Sequence, residues 1–384
     1  MKKYDVIIVG GGASGLMCAA NLSKKISVAI LEANDKPAKK VKISGGGKCN
    51  LTNEFVSSNN YNGESGCIEQ VLKTFSKQHL LRFAQRNNIE LELRKERYYF
   101  CKNSSDDMIE ALLRCTKNAD IYYNTSLQHI TKESELFKLE SSGGTFEARS
   151  VVVATGGASF AQVGASDIGL RVAQSFALQT KPFHPALVGL SVQKEQFWMR
   201  ELSGLSCRVE LRVGTKKLQE DMLFTHKGIS GPVVLSASLY WQKGEIVCDF
   251  FPNEDLLKKI EGSKKHLSSA LALPKRLAKA LLDVVGVDDV EVSKLTKEQK
   301  EKLLGLKHYA FAPAGNFGLS KAEVCRGGVL SCELDCATMM SKKVQNLYFI
   351  GEVVDVTGEL GGYNFQWAFS SGVVCAKALK RFGV

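Results

Sequence analysis

Val6-Ile7-Ile8-Val9-Gly10-Gly11-Gly12-Ala13-Ser14-Gly15 is the stretch on which the fold turns. Tyr4 to Val9 is a compact run of β-forming residues. Ala13 to Lys24 carries apolar residues at Leu16, Ala19, Ala20 and Leu22, the spacing of a short amphipathic helix. G-x-G-x-x-G therefore falls after a strand and at the opening of a helix, the context that gives this motif its weight. Gly10 permits the tight turn, Gly12 lets a pyrophosphate approach the backbone, and Gly15 lets helix and strand pack closely. Around Ala13 and Ser14 the helix N-terminus offers free N–H groups and the positive end of its dipole to phosphates. Ser27 to Leu31 predicts the second strand. Glu32 ends it about twenty residues past the glycines, where a carboxylate accepts hydrogen bonds from a ribose. This βαβ opening implies an α/β, Rossmann-like domain on a parallel sheet.

Three further stretches point to the same ligand. Lys39 to Asn53 contains Ser44-Gly45-Gly46-Gly47-Lys48-Cys49-Asn50, in which successive glycines leave backbone N–H groups unshielded. Ala154-Thr155-Gly156-Gly157 closes a strand from Ser150, and ligands of open α/β sheets collect at the carboxyl ends of strands. Leu347 to Ile350 is a strand running into Gly351-Glu352. Gly361-Gly362-Tyr363-Asn364 then opens the last helix, to about Arg381, whose N–H groups favour electron density on a ring placed against them. A nicotinamide dinucleotide needs no second clamp from the far end of the chain. FAD fits one, with adenosine and pyrophosphate at the first motif and ribityl and isoalloxazine at the last.

Between these ends the pattern changes. Ile68 to Arg86 predicts one helix, and Ser104 with Asp107 a capping box before the helix Met108 to Cys115. Ser142-Gly143-Gly144 joins two strands as a hairpin. After about Pro185 short strands alternate with polar turns, as in an antiparallel unit. Asn253 to Lys307 predicts lysine-rich helices with Leu256, Ile260, Leu267, Leu271, Leu277 and Leu281 on the apolar face. The middle of the chain thus reads as an insertion into the sheet that the two ends build.

Composition narrows the class. Of 384 residues, 44% are hydrophobic and 24% charged, which excludes disordered and fibrous chains. No apolar run of roughly 18 residues occurs, so no membrane span is expected. The run after Lys2 and Lys3 stops at Gly10, too short for a signal peptide, and the expected location is cytoplasmic. The 11 cysteines are odd in number and irregularly spaced, so a disulfide framework is not expected. Cys325, Cys332 and Cys336 lack C-x-x-C spacing and a nearby histidine, and no metal site is assigned. The net charge of +11 suits an anionic ligand or nucleic acid. Lys264, Lys265, Lys275, Arg276 and Lys279 read as a solvated helix face with no aromatic residues interleaved, which argues against nucleic acid as the partner.

The combined motifs resemble the bacterial flavoproteins grouped as aminoacetone-oxidase-like or bile-acid-reductase-like NAD(P)/FAD-dependent oxidoreductases. The resemblance rests on Lys39-Lys40 with Ile43 to Asn53, on Phe224-Thr225-His226-Lys227-Gly228-Ile229-Ser230-Gly231-Pro232, and on Gly351 to Asp355 continuing through Gly361 to Gly372. It implies a discontinuous FAD domain, 1–187 with 336–384. It also implies an inserted antiparallel β-barrel-like domain, 188–252 with 308–335, carrying a small helical subdomain, 253–307. Flavin contacts are implied at the matching glycines and at Glu32, Lys40, Asn50, Glu352, Tyr363 and Asn364. The chain departs from the family pattern at Lys39, where arginine is usual, and along Ser159 to Leu170.

FAD carries the redox step, and the protein orients and tunes it. The substrate is expected to be a small organic molecule, with an RNA-directed flavoprotein as the alternative. No second G-x-G-x-x-G is present for a nicotinamide domain, so electrons are exchanged either with oxygen or with NAD(P)H docking transiently over the flavin. No catalytic residue is assigned: His226 is a weak candidate for acid or base, with a hydrogen-bonded structural role favoured over it, and His184 reads as structural. Cys49 follows Lys48, which is expected to lower its pKa, but it has no nearby partner cysteine for disulfide-reductase chemistry. The oligomeric state is left open.

Overall fold

A computed structural model describes residues 1–160 and 164–381. The chain divides into two compact units, Met1–His184 with Val324–Val384 and Pro185–Glu323. The return to the first unit thus comes at Val324, and residues 324–335, expected with the insert, pack with the cofactor unit.

The first unit is built on a nine-stranded sheet. Its first strand, Lys2–Val9, ends in an unbroken apolar run because both faces are covered: Val6, Ile7 and Ile8 are all fully buried. It pairs in parallel with Val28–Leu31 on one side and Gly144–Val153 on the other. Leu347–Phe349 and Ala119–Tyr122 extend the parallel core at either side. Five strands therefore finish at one edge of the sheet, and four of them lead into Gly10, Glu32, Ala154 and, one residue further on, Gly351. The hairpin through Ser142-Gly143 forms as expected, with Gly144 opposite Ser141.

The helix Ala13–Ala20 packs against the last helix, Tyr363–Arg381. Gly351 and Gly372 make that approach possible, because a β-carbon on Gly351 would lie 2.5 Å from Ser14 Oγ and one on Gly372 2.6 Å from Ser14 O. The single helix expected over Ile68 to Arg86 is two, Ser65–Thr74 and Lys77–Arg86. Ser76 caps the second through a reciprocal box with His79, and the freed Phe75 carbonyl accepts from Gln366 and Ser370. The expected Ser104–Asp107 box is a simple N-cap, in which Ser104 accepts from the Asp106 N–H and the helix begins at Ser105.

One expectation about cysteines is overturned. Cys67 and Cys336 form a disulfide that joins positions 269 residues apart. Cysteine spacing along the chain carried no trace of it, because the sheet order brings the two together. Among the other cysteines Cys332 is exposed and Cys115 partly so, and the rest are buried as expected of apolar thiols.

The second unit holds a seven-stranded sheet running Tyr309–Phe311, Ile246–Asp249, Ser206–Val213, Lys216–Thr225, Gly228–Ser230, Leu190–Val192 and Pro313–Asn316. Every pairing along it is antiparallel. The helices Leu256–Ile260, Leu267–Ala270, Lys275–Val285 and Lys297–Leu304 share its core. All six apolar positions expected of them are buried, together with Phe250 and Phe251. Lys264, Lys265, Lys275, Arg276 and Lys279 are exposed. The fold is thus a discontinuous α/β, Rossmann-like unit with an additional β-sheet and helical unit inserted.

Gly10 has φ +109°, and a β-carbon there would meet Ala154 O at 2.4 Å. Gly10→Ala is expected to destabilise the protein by about 1–3 kcal/mol, through left-handed strain and the clash between the two strand ends. Chemical denaturation of the variant beside the parent measures this, and an unchanged midpoint would refute the packing described.

Candidate functional site

The strand ends define the site. At the first, a β-carbon on Gly15 would lie 2.0 Å from Gly10 O, so helix and turn touch backbone to backbone. Nothing lies within 4 Å of the corresponding position on Gly12, so its backbone is open to an approaching group. Glu32 is buried. Its Oε2 accepts from the Gly11 N–H at 2.8 Å, and its Oε1 accepts from the Asn34 N–H and Nδ2 at 2.8 and 2.7 Å. Three acceptor positions are used, and a carboxylate has about four, which leaves room for a ribose hydroxyl.

Distant parts of the chain converge on Glu352. Lys40 Nζ donates to Glu352 Oε2 at 2.7 Å and to Ser159 Oγ at 2.9 Å. Glu352 Oε1 accepts from the Cys325 N–H at 2.9 Å. A β-carbon on Gly157 would meet both Glu352 and Cys325, while Gly156, at φ +71°, has only Glu352 Oε2 near it, at 3.8 Å. The Cys325 thiol is pushed up to about 11 by burial and by the Glu352 charge. Ala161–Val163, within the stretch that departs from the family pattern, lie outside the described residues.

The glycine loop is a tight turn, with Gly45, Gly46 and Gly47 all at positive φ and open space around Gly46. Ser44 caps back onto Val41 O at 2.8 Å. The loop leads into the strand Asn50–Asn53, which belongs to a three-stranded sheet with Tyr98–Cys101 and Leu91–Arg94. That sheet carries residues that the sequence pattern did not single out. Arg94 stacks over Phe100 at 4.6 Å and Arg97 over Tyr98 at 5.0 Å. Phe100 borders Gly45, and Tyr98 borders Gly361. Two arginines, Arg94 and Arg97, set just before the aromatic run Tyr98-Tyr99-Phe100 were the available signal.

The expected acidic thiol at Cys49 is not found. Cys49 is fully buried, and its pKa is raised well above the usual thiol value by hydrogen bonding with Cys101 and by burial. Lys48 turns away from it and donates to Lys102 O at 2.6 Å.

The last motif folds over the same loop. A β-carbon on Gly362 would lie 2.7 Å from the Thr52 backbone, and Asn53 Nδ2 donates to Gly361 O at 3.0 Å. Tyr363 is buried, and its carbonyl accepts from Tyr61 OH at 3.0 Å. The Asn364 side chain is occupied within its own turn, accepting from the Gly358 N–H and donating to Gly358 O. His226 is exposed in the turn between Lys216–Thr225 and Gly228–Ser230 of the second unit, where its carbonyl accepts from Arg200 Nε at 2.8 Å.

The residues present fit a dinucleotide. Gly12 and Gly46 leave backbone uncovered where a β-carbon would meet nothing. Asn50 Oδ1 and Thr155 Oγ1 are buried at the two sides with no hydrogen-bond partner, as groups awaiting a ligand are.

A family model described as the HI0933-like protein Rossmann domain matches residues 4–378. The chain belongs to this family. It is 34% identical to the ribosomal RNA dihydrouridine synthase of Escherichia coli, over 99% of this chain and 98% of that one. The 3-dehydro-bile acid delta(4,6)-reductase of Clostridium scindens is 30% identical, over 97% and 98%. Among solved structures, the 3-ketosteroid-delta4-(5alpha)-dehydrogenase of Rhodococcus jostii shares the fold, with a TM-score of 0.53, 10% identity, and coverage of 98% and 97%. This chain is an FAD-dependent oxidoreductase. Among the described residues no helix is long and apolar enough to cross a membrane.

Glu352→Ala strips the charged partner from Lys40 and an acceptor from Cys325. FAD affinity is expected to fall at least tenfold, the scale of one lost charge-assisted hydrogen bond, about 1.5–3 kcal/mol. Titration of the apoprotein with FAD checks it, and unchanged affinity would remove Glu352 from the cofactor site. Cys325 is expected to stay a protonated thiol at pH 8. Peptide mapping after iodoacetamide treatment should show it labelled at least tenfold more slowly than the exposed Cys332, because only the thiolate reacts.

Proposed function

We propose that this protein reduces the C5=C6 bond of a uracil base in ribosomal RNA, producing dihydrouridine, with NAD(P)H as the electron donor. The observation that carries the reading is the end-to-end similarity to the ribosomal RNA dihydrouridine synthases of Escherichia coli and Haemophilus influenzae, at 34% and 33% identity. The bile acid reductase fits the same chemistry. A C=C bond in conjugation with a carbonyl is electrophilic at its far carbon, whether it lies in a uracil ring or in a dienone.

On this reading Glu32 takes the adenosine ribose, and Gly10, Gly12, Ala13, Ser14 and Gly15 take the pyrophosphate. Ala154, Thr155 and Gly156 line the adenosine side. Ser44, Gly46, Gly47 and Asn50 wrap the cofactor's far half. Glu352, held by Lys40, takes the ribityl chain. Gly351, Gly361, Gly362, Tyr363 and Asn364 frame the ring. FAD, when bound there, would supply the redox chemistry, with a nicotinamide as the source of its electrons.

Two features support an RNA-borne base. The net charge of +11 draws phosphate. The arginine-capped rings of Phe100 and Tyr98, beside the glycine turns, offer π faces and guanidinium planes on which unstacked bases can rest.

The test is complementation. Expressed in an Escherichia coli strain lacking its ribosomal RNA dihydrouridine synthase, the protein is expected to restore dihydrouridine in nuclease-digested ribosomal RNA, read by mass spectrometry. Absence of dihydrouridine both there and after incubating FAD-loaded protein with unmodified RNA and NADPH would overturn the reading.

A further inference from the structure

Cys67 and Cys336 form the one disulfide of a chain whose other nine cysteines are free thiols. The unit that holds it is built on a nine-stranded sheet with a continuous buried core, so it has no need of a staple. A single disulfide among free thiols is of the kind that exchanges. Its two ends differ in access. Cys67 is 2% exposed, in the first turn of the helix Ser65–Thr74, and Cys336 is half-buried. Glu64 caps that turn, accepting from the Gly66 and Cys67 N–H groups at 3.1 and 2.7 Å.

The limb that leads into Cys67 is docked on the limb from Asp355 to Tyr363, where the last glycine motif lies. The Glu359 N–H donates to Asn60 O at 2.9 Å. Tyr61 and Asn62 pair antiparallel with Gly358 and Thr357. Tyr61 OH donates to Tyr363 O at 3.0 Å, and the two rings meet edge to face with centroids 5.9 Å apart. A β-carbon on Gly63 would stand 3.0 Å from Asp355 O. Cys67 then ties the end of this limb to Cys336, in the turn that follows the edge strand Leu334–Asp335. The disulfide is therefore the covalent end of a limb whose other contacts support the Gly361–Tyr363 turn.

We propose that Cys67–Cys336 is a reversible thiol switch that sets how tightly the Gly361–Tyr363 turn grips FAD. This rests on the placement of that turn against the flavin ring in the reading above. A dithiol reductant supplies the electrons. One of its thiolates bonds to the accessible Cys336 Sγ, the S–S bond breaks, and Cys67 leaves as a thiolate that takes up a proton. The reductant's second thiolate then attacks its own sulfur in the mixed disulfide and frees Cys336, which also takes up a proton. The reductant departs as a disulfide, having given up two electrons and two protons. With the bond open, the Asn60–Cys67 limb keeps its hydrogen bonds to the last motif but loses its fixed end. Tyr61 then holds the Tyr363 carbonyl for a smaller share of the time.

The experiment compares the full chain after oxidation, the same chain after anaerobic treatment with dithiothreitol, and the Cys336→Ser variant. Thiols are counted after unfolding, with nine expected in the oxidised protein and eleven in the reduced one. FAD titration of each is expected to show affinity about tenfold lower after reduction, restored on reoxidation, and Cys336→Ser is expected to bind as the reduced protein does in either buffer. By linkage, bound FAD makes the disulfide harder to reduce by the same factor, which lowers its midpoint potential by about 30 mV. Thiol counts on FAD-loaded and FAD-free protein in graded dithiol–disulfide buffers read that shift. The reduced wild type carries the test by itself if the variant does not fold. Eleven free thiols in the oxidised protein overturn the proposal. Equal FAD affinity in both states, with affinity lost in Glu352→Ala, overturns the switch and leaves the cofactor site in place. If Glu352→Ala also binds FAD unchanged, the cofactor reading falls and the switch falls with it.

Discussion

The two ends of the chain have to touch with no side chain between them. Ser14, at the start of the first helix, lies against Gly351 and Gly372, where added β-carbons would come within 2.5 and 2.6 Å of it. Only because that contact closes can Leu347–Phe349 take its place beside Gly144–Val153, and Gly144–Val153 beside Lys2–Val9. Parallel pairing then sends all their carboxyl ends to one edge. On the proposed reading a cofactor spanning that edge is gripped by residues more than 300 positions apart, Glu32 and Glu352 among them.

The same geometry decides the charges. Lys40 and Glu352 are each partly buried, and taking two charges from water is offset only when further hydrogen bonds satisfy them. Ser159 on the lysine side and the Cys325 N–H on the glutamate side provide these. Asp355 and Lys181 pair in the same way a few residues away.

The parts legible in the sequence were those set by local chemistry. G-x-G-x-x-G, the acid at Glu32 and the Gly-Glu after Leu347–Ile350 each sit within a few residues of the element that gives them meaning. The apolar face from Leu256 to Leu281 follows from periodicity alone. What escaped depended on partners far away in the chain. The break at Phe75 was hidden because apolar spacing continues through it, while Ser76 and the side chains of Gln366 and Ser370 make stopping favourable. Cys67 and Cys336 meet only after the sheet has assembled. Cys49 looked acidic beside Lys48, but backbone direction sends the lysine to Lys102 and leaves the thiol against Cys101. The aromatic residues sought among the helical lysines stand instead on the sheet next to the glycine loop, paired with Arg94 and Arg97.

Relatives named for ribosomal RNA and for a bile acid pose a question of specificity more than of chemistry. The bond reduced is of one kind, so the groups that meet it can stay the same while those that meet the rest of the substrate differ. On the proposed reading this divides the site physically. Whatever meets the reacting carbonyl addresses an oxygen that every conjugated carbonyl possesses, and it cannot discriminate between a ring in RNA and a ring in a steroid. Discrimination falls to surfaces that contact what surrounds the ring. For RNA those must offer π faces and tolerate phosphate, and Arg94–Phe100 and Arg97–Tyr98 provide both beside the turn that frames the flavin ring. A steroid would gain little from guanidinium planes that remain hydrated. On that reading the arginine–aromatic pairs, more than any residue at the reacting bond, carry the choice of an RNA substrate.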